Sequence, residues 1–208
     1  MRKINEEREK MSQNIQFPVQ TEKSALALHE LDPSKTELLQ RCAEDVDAKL
    51  IFHPEIMVFG KSCRQNRSIG FFSDTSVGYR YSGQIARSQP LSPVLKELLD
   101  FINEKFSADF NGILINKYLS GEETIGKHSD DEKALDPNTG VVCCSFGAVR
   151  KFRIREKESG KIVCDVPTEN NKIIQMRGNF QKEFTHEIPA EKKIKESRFS
   201  FTFRKHLE

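Results

Sequence analysis

Cysteine is scarce in this sequence and shows no pairing pattern. The chain has five cysteines among 208 residues, an odd number, and no Cys-x-x-Cys pair occurs. A disulfide framework would need an even set and a zinc ribbon would need closely paired cysteines, so we expect neither. Reduced thiols in an intracellular compartment are the simplest interpretation.

A long hydrophobic run is also missing. No stretch approaches the roughly 20 apolar residues that a membrane-spanning helix requires, so we expect no membrane partner. Residues 1–8 are charged and lack the apolar core of a secretory signal. We therefore expect a protein of the nucleus or cytoplasm that is not secreted.

The net charge is only +2, but the charges are unevenly distributed. Residues 1–55 hold 8 Lys/Arg and 11 Asp/Glu, a net of −3, whereas residues 150–205 hold 15 and 8, a net of +7. A basic C-terminal half is suited to a phosphate backbone. The alternative is an ordinary solvated sheet face, and charge alone leaves both interpretations open.

The chain length favours one catalytic domain, spanning about 31–206. Residues 1–30 are polar and predicted to be a flexible tail. Residues 31–110 form a helical support region, with apolar residues at helical spacing over 34–48 and 92–106. Residues 111–208 carry short strands separated by turn residues, at 111–118, 141–147, 150–156, 161–166, 172–176, 184–188 and 198–204. This spacing predicts a sandwich, barrel or jelly roll with helices against one sheet.

Two histidines and an aspartate form a candidate metal site. In an extended segment, residues two apart point to the same side, so His128 and Asp130 can approach one ion together. His186 lies in a late strand that could pair beside them. Two histidines and one carboxylate leave positions free for a bidentate ligand and dioxygen, which suits non-haem Fe(II). A hydrolytic zinc site uses the same donors and stays open at this point.

The segment 198–204 alternates between two kinds of residue. Phe199, Phe201 and Phe203 share one face and are predicted to be core, whereas Arg198 and Arg204 flank small hydroxyl residues on the other. Two arginines on an inward face are costly unless an anion satisfies them, and a dicarboxylate would do so through bidentate contacts. A solvent-exposed face is the alternative. Together with the candidate metal triad, an arginine pair that can bind a dicarboxylate favours an iron oxygenase that consumes 2-oxoglutarate.

Taken together, the spaced motifs resemble the AlkB-type dioxygenases over about residues 56–205. The resemblance is greatest to the alkylated-DNA-repair branch of eukaryotic and viral AlkB homologues. It rests on Val58-Phe59-Gly60-Lys61, Tyr79-Arg80-Tyr81-Ser82-Gly83, Asn116-Lys117-Tyr118, His128-Ser129-Asp130-Asp131-Glu132, Ser145-Phe146-Gly147-Ala148, His186 and Arg198–Arg204. The resemblance implies a mainly β, α+β fold with a double-stranded β-helix (jelly-roll) core, and it makes 31–110 a nucleotide-recognition region as well as a support.

The resemblance also implies roles for individual residues. The metal ligands and catalytic residues would be His128, Asp130 and His186. The 2-oxoglutarate site would comprise Asn116, Tyr118, Arg198 and Arg204. Tyr81 would stack on a flipped base, the 58–60 hairpin would fill the gap left by it, and Glu132 would touch the base edge. The full substrate-binding set would be Val58, Phe59, Gly60, Tyr79, Tyr81, Ser82 and Glu132.

The implied activity is oxidative demethylation of N-alkylated bases such as 1-methyladenine and 3-methylcytosine in DNA. Fe(II), 2-oxoglutarate and O2 would be needed, and formaldehyde, succinate and CO2 would be released. A flipped base and aromatic stacking are expected for such chemistry. Demethylation of RNA, hydroxylation of a protein or small molecule on the same fold, and a catalytically silent nucleic-acid-binding module are the alternatives. We expect a monomer.

Overall fold

The computed structural model describes residues 15–58, 60–81 and 84–207, with only the course of the backbone at residues 58, 79–81 and 84–86. Its helices are α1 Ser34–Val46, α2 Pro93–Phe106 and the single turn α3 Phe180–Glu183, and a 3₁₀ turn, Asp47–Lys49, follows α1. In the described ranges, no helix combines the length and the apolar character needed to cross a membrane.

The strands account for most of the ordered secondary structure. In chain order they are β1 Gln16–Gln20, β2 Ser24–Glu30, β3 Glu55–Val58, β4 Lys61–Arg64, β5 Ser68–Phe72, β6 Gly78–Tyr81, β7 Gln84–Arg87, β8 Gly112–Tyr118, β9 Ile125–His128, β10 Val141–Gly147, β11 Lys151–Glu156, β12 Ile162–Pro167, β13 Lys172–Gly178, β14 Phe184–Ile188 and β15 Arg198–Arg204.

Two antiparallel sheets and two separate hairpins result from these strands. The larger sheet has seven strands in the order β1-β2-β13-β10-β15-β8-β5, and the smaller has four in the order β12-β11-β14-β9. The hairpins are β3–β4 and β6–β7. The antiparallel, jelly-roll fold class predicted from the sequence is confirmed.

The molecule is layered, with helices on one face of the larger sheet and the smaller sheet on the other. The first core cluster joins α1 and α2 to that sheet through residues such as Leu39, Leu98 and Phe201. The second core cluster joins the two sheets through residues such as Ile174 and Ile154. The helices therefore buttress one sheet, as predicted, and the space between the sheets is left for the site.

Strand β15 shows how one sequence serves both layers. Phe199, Phe201 and Phe203 pack in the helix-side cluster, whereas Arg198 and Arg204 line a pocket on the opposite side. All seven residues of the strand are buried. The inward interpretation of the arginine face is therefore confirmed, and the solvent-exposed alternative is wrong.

Helix α2 begins and ends where its sequence predicts. Ser92 caps its N-terminus by accepting a hydrogen bond from the backbone nitrogen of Leu95, and Pro93 occupies the first turn, where its missing N–H costs nothing. Ser107, with a φ of 49°, ends the helix in a left-handed conformation. Helix α1 begins at the predicted residue and ends at Val46, where the 3₁₀ turn takes over.

The predicted N-terminal tail over residues 1–30 is wrong for its second half. Residues 1–14 lie outside the described residues, but β1 and β2 belong to the larger sheet. Strand β2 pairs with β13 from Ser24 to Glu30 and buries Ala25–Leu28. Its Ala-Leu-Ala-Leu core lacks the β-branched residues that usually indicate a strand, so the surrounding charged residues dominated the prediction.

The division predicted at residue 110 is not reflected in the sheets. Strand β5 lies before that boundary and pairs along its whole length with β8, so the 31–110 region contributes an edge strand to the larger sheet. The two hairpins and β9 were also absent from the predicted strands. All are strands of four or five residues, too short for their periodicity to be recognised.

Candidate iron and 2-oxoglutarate site

The three predicted metal ligands converge between the sheets. His128 ends β9 and lies directly opposite His186 of β14 in the antiparallel register. Asp130 follows two residues after the end of β9, and its carboxylate lies 3.8 Å from Nε2 of His128 and 3.7 Å from Nε2 of His186. One ligand atom from each residue lies within 4.8 Å of the others.

Hydrogen bonds orient this triad. Nδ1 of His128 donates to the carbonyl oxygen of Gly126 at 2.9 Å, which leaves Nε2 with its lone pair free of the proton and directed at the cluster. Nη2 of Arg204 donates to Oδ1 of Asp130 at 2.5 Å. Nε2 of His128 and the carboxylate of Asp130 therefore present acceptors toward one point, whereas Nδ1 of His186 is buried without a hydrogen-bond partner among the described residues.

Burial sets the protonation state that a metal needs. Burial opposes ionisation of Asp130, but Arg204 and the two histidines outweigh it and lower its pKa to about 2. Desolvation lowers the pKa of His128, and desolvation together with His128 lowers that of His186 to about 3. At neutral pH the site holds two neutral imidazoles and one carboxylate, the protonation state required of metal ligands.

The arginine face of β15 lies in the same pocket as the triad. Nη2 of Arg198 donates to Oγ of Ser145 at 2.9 Å. Nε and Nη1 of Arg198 are buried and have no hydrogen-bond partner among the described residues. The side chain is 1% exposed, and desolvation lowers its pKa. A buried guanidinium with two unsatisfied donors is suited to an anionic acceptor.

Asn116 and Tyr118 line the same pocket as this arginine. In the β8–β15 register Tyr118 is opposite Arg198 and Asn116 is opposite Ser200. The guanidinium of Arg198 lies 5.3 Å from the Tyr118 ring centroid. Desolvation raises the pKa of the Tyr118 phenol, so its hydroxyl remains a hydrogen-bond donor at neutral pH.

Two residues that hydrogen-bond to polar side chains of the pocket were not identified as site residues from the sequence. Arg67 lines the pocket, and its Nε donates to Oδ1 of Asn116 at 2.7 Å. Ser145 lies in the strand predicted over 141–147, and its Oγ accepts a hydrogen bond from Arg198. Arg67 stands in a polar segment before β5 with no periodic pattern, so only the pairing of β5 with β8 reveals its position.

The predicted substrate residues are placed less fully. Val58 and Gly60 flank the tip of the β3–β4 hairpin, with a φ of 75° at Gly60, and Phe59 lies outside the described residues. Tyr79 and Tyr81 belong to the β6–β7 hairpin through their backbone, and Ser82 also lies outside the described residues. Their contacts with a base stay predictions.

Glu132 lines a second pocket rather than the one that holds the histidines. The two pockets share Asp130, Met176 and Arg204 as walls, and the second measures about 310 Å³. Glu132 therefore lies in a neighbouring pocket, which is separated from that of the histidines by the shared residues. Its predicted contact with a base edge stays a prediction.

Comparisons with known proteins agree with this geometry. The family model described as "2OG-Fe(II) oxygenase superfamily" matches residues 26–204. The chain is 32% identical over 178 residues to the DNA oxidative demethylase ALKBH2 of Homo sapiens, covering 82% of this chain and 68% of the relative. It is 29% identical over 177 residues to the ALKBH2 protein of Arabidopsis thaliana, covering 73% of this chain and 56% of that protein.

Two further comparisons extend the range of similarity. The alpha-ketoglutarate-dependent dioxygenase alkB homolog 3 of Homo sapiens is 32% identical over 135 residues, covering 61% of this chain and 47% of that protein. The solved structure of OsALKBH1 superposes with a TM-score of 0.56 at 16% identity and covers 90% of this chain and 99% of that one. At that identity the likeness shows the fold.

Proposed function

The chain belongs to the 2OG-Fe(II) oxygenase superfamily and is an AlkB-type member of it, and from this premise we propose that it oxidatively demethylates N-alkylated bases in DNA. Fe(II), 2-oxoglutarate and O2 are the cofactors and cosubstrates of such an enzyme. The observation that carries the proposal is the convergence of His128, Asp130 and His186 beside the unsatisfied guanidinium of Arg198.

We propose that the triad holds Fe(II). Two neutral imidazole nitrogens and a carboxylate form a donor set that suits this ion and leaves other positions open. When bound, the iron supplies the oxidising chemistry, and the protein supplies orientation and exclusion of water. The site is well shielded, since the side chains of His186 and Asp130 are 5% and 1% exposed. The zinc alternative is set aside because the family is iron-dependent.

The 2-oxoglutarate dianion would be held by the arginine face. Arg198 offers two unsatisfied nitrogens, and Tyr118 beside it offers a protonated hydroxyl. Asn116 is fixed by its bond from Arg67. Arg204 already donates to Asp130, so we assign the far carboxylate of the cosubstrate to Arg198 and the end nearer the triad to the neighbourhood of Arg204.

The choice of substrate rests on the relatives and on the two hairpins. The relatives named as DNA oxidative demethylases match this chain over most of its length. We propose that the β3–β4 tip enters the space left by a flipped base, and that Tyr81 stacks on that base. Glu132 would favour the positively charged 1-methyladenine and 3-methylcytosine over neutral bases. Formaldehyde, succinate and CO2 would be the products.

We further propose that the protein acts as a monomer in the nucleus or cytoplasm. The five cysteines are free thiols, which is typical of a reducing compartment.

Mass spectrometry of methylated oligonucleotides tests the activity. Single- and double-stranded DNA and RNA carrying 3-methylcytosine would be incubated with Fe(II), ascorbate and 2-oxoglutarate. We expect loss of the methyl group from DNA and release of formaldehyde, and no turnover by His186→Ala. His29→Ala is the control, since His29 lies on β2 and bonds Gln175 instead. Exclusive turnover of RNA, or succinate release without any demethylated base, would contradict the proposed substrate.

A further inference from the structure

Asp130 is the one proposed ligand that does not lie in a strand. Its backbone N–H donates to Oε1 of Gln181 at 2.9 Å. Gln181 belongs to α3, the single helical turn between β13 and the His186 strand β14. Nε2 of the same amide donates to Sδ of Met176 at 3.5 Å. One side-chain amide therefore connects the loop that carries Asp130 with β13, the strand that precedes α3.

The neighbours of Asp130 are tied to the same turn. Oγ of Ser129 donates to the carbonyl oxygen of Phe184 at 2.9 Å. Nζ of Lys157 lies 2.9 Å from Oδ2 of Asp131 and 3.2 Å from the carbonyl oxygen of Gln181. Ser129 and Asp130 thus contact the segment 181–184 directly, and Asp131 is linked to it through Lys157. The contact of Asp130 uses a backbone group that no side-chain substitution of Asp130 itself would remove.

We propose that Gln181 is a positioning residue that fixes Asp130 so that its carboxylate faces both histidines. This inference rests on the proposed function, because it assigns Gln181 a role toward the metal that the triad would hold. Two contacts orient Asp130, namely Arg204 at its carboxylate and Gln181 at its backbone. Without the Gln181 amide the backbone of Asp130 loses its acceptor, so the carboxylate can shift relative to His128 and His186 even though Ser129 and Asp131 keep their own contacts.

The chemistry of an amide suits this position. Oε1 accepts from the backbone N–H, and Nε2 donates to a sulfur, without adding charge beside a buried carboxylate. Asp130 is 5% exposed, so a leucine in place of Gln181 would leave its N–H without an acceptor in a buried place. A glutamate would keep the acceptor oxygen, but it would lose the weak bond to Met176 and add a negative charge near Asp130.

Cobalt binding by the full-length chain tests the inference without reference to turnover. Co(II) replaces Fe(II) as a stable ion whose visible absorption reports ligand geometry. We expect Gln181→Leu to bind Co(II) about 10-fold more weakly than the wild type with an altered spectrum, as is typical when a contact behind a metal ligand is removed. Gln181→Glu should recover the wild-type spectrum and most of the affinity.

Gln175→Leu is the matched control. Gln175 lies on β13, the strand that precedes α3, and bonds His29, so the same substitution is made nearby in sequence but away from Asp130. Wild-type affinity and spectrum in Gln181→Leu would overturn the inference, and so would equal losses in both leucine variants, which would indicate a general effect on the fold. His186→Ala distinguishes failure of this inference from failure of the proposed function. Undiminished Co(II) binding in that variant would refute the metal triad, and the proposed function with it.

Discussion

Tyr118 lies between two guanidinium groups, with Arg198 at 5.3 Å and Arg150 at 5.8 Å from its ring centroid. Arg198 faces the proposed cosubstrate, whereas Arg150 is a structural residue behind it. Cations near the face of an aromatic ring are attracted to it. One aromatic ring therefore contacts both a buried structural arginine and the arginine in the wall of the site.

The first prediction concerns the anion site. Arg198→Lys keeps the charge but loses the planar fork, so binding of 2-oxoglutarate should be roughly tenfold weaker, equivalent to about 1.5 kcal/mol for one lost charge-assisted hydrogen bond. Isothermal titration of the metal-loaded protein with 2-oxoglutarate measures this. Arg153→Lys is the control, since Arg153 pairs with Asp165 away from the pocket. Equal affinities of Arg198→Lys and the wild type would refute the assignment.

The second prediction concerns Arg150 and the fold. This side chain is 1% exposed, and its guanidinium donates to the carbonyl oxygens of Ser120, Glu123 and Pro189 at 2.8–2.9 Å. Arg150→Met removes donors from several buried carbonyls, so the free energy of unfolding should fall by about 3 kcal/mol.

Urea unfolding measures the effect of Arg150→Met against a surface control. Arg153→Met breaks a partly exposed pair with Asp165 and should cost less than about 1 kcal/mol. Similar losses in both variants would show that Arg150 contributes no more than a surface ion pair.

The third prediction concerns pH. Burial and the positive charge of Arg204 lower the pKa of His206 to about 4 in the folded protein, whereas an unfolded histidine titrates at about 6.5. Between these values the unfolded chain binds more protons, so this contribution to stability is fully present above pH about 6.5 and is lost as the pH falls toward 4.

Unfolding of the metal-free protein at a series of pH values tests this. The free energy of unfolding of His206→Leu should fall less steeply with decreasing pH than that of the wild type. The difference in slope should correspond to at most one proton, because the other buried histidines still titrate in the variant. An unchanged slope would show that His206 titrates alike in both states.

The fourth prediction separates the two hairpins. A side chain that wedges into a duplex at the β3–β4 tip replaces the stacking that the flipped base loses. Stacking on an aromatic side chain is worth on the order of 1–3 kcal/mol per base. Such a wedge contributes little when the base is already unstacked in a single strand. Phe59→Ala should therefore impair double-stranded substrates more than single-stranded ones. Tyr81→Ala should impair both by similar factors, because a stacking residue is needed in either case.

Values of kcat/KM on matched single- and double-stranded 3-methylcytosine oligonucleotides decide between these roles. Equal losses of Phe59→Ala on both substrates would show that Phe59 is not a wedge. If the wild type did not act on duplexes at all, demethylation of single strands or RNA would become the favoured activity.

The sequence predicted the orientation of residues whose faces follow from the pattern within their own strand. It did not predict roles that depend on which strands are neighbours in the sheet. Arg198, Arg204 and the phenylalanines between them were placed correctly because alternation within one strand fixes their faces. His128 and Asp130 were placed together because residues two apart in an extended segment point to the same side, although Asp130 lies beyond the end of β9. The register that brings His186 opposite His128 could only be hypothesised, since strand pairing is a property of the whole sheet.

The residues that escaped prediction are those whose role depends on strand order. Ser145 meets Arg198 because β10 and β15 are neighbours, and Arg67 meets Asn116 because β5 pairs with β8. Gln181 meets Asp130 across a loop and a helical turn. Strand β2 escaped because alanine and leucine are as typical of helices as of strands, and its partner β13 determined the outcome.

The contact between Arg204 and Asp130 makes the two halves of the site thermodynamically dependent on one another. An anion that arrives beside Arg204 competes with Asp130 for the same guanidinium, and a cation that arrives at Asp130 competes with Arg204 for the same carboxylate. Each ligand thereby releases the group that the other one needs. By linkage, the factor by which the cosubstrate strengthens metal binding equals the factor by which the metal strengthens cosubstrate binding. The metal and the cosubstrate would thus bind cooperatively through the contact between Arg204 and Asp130.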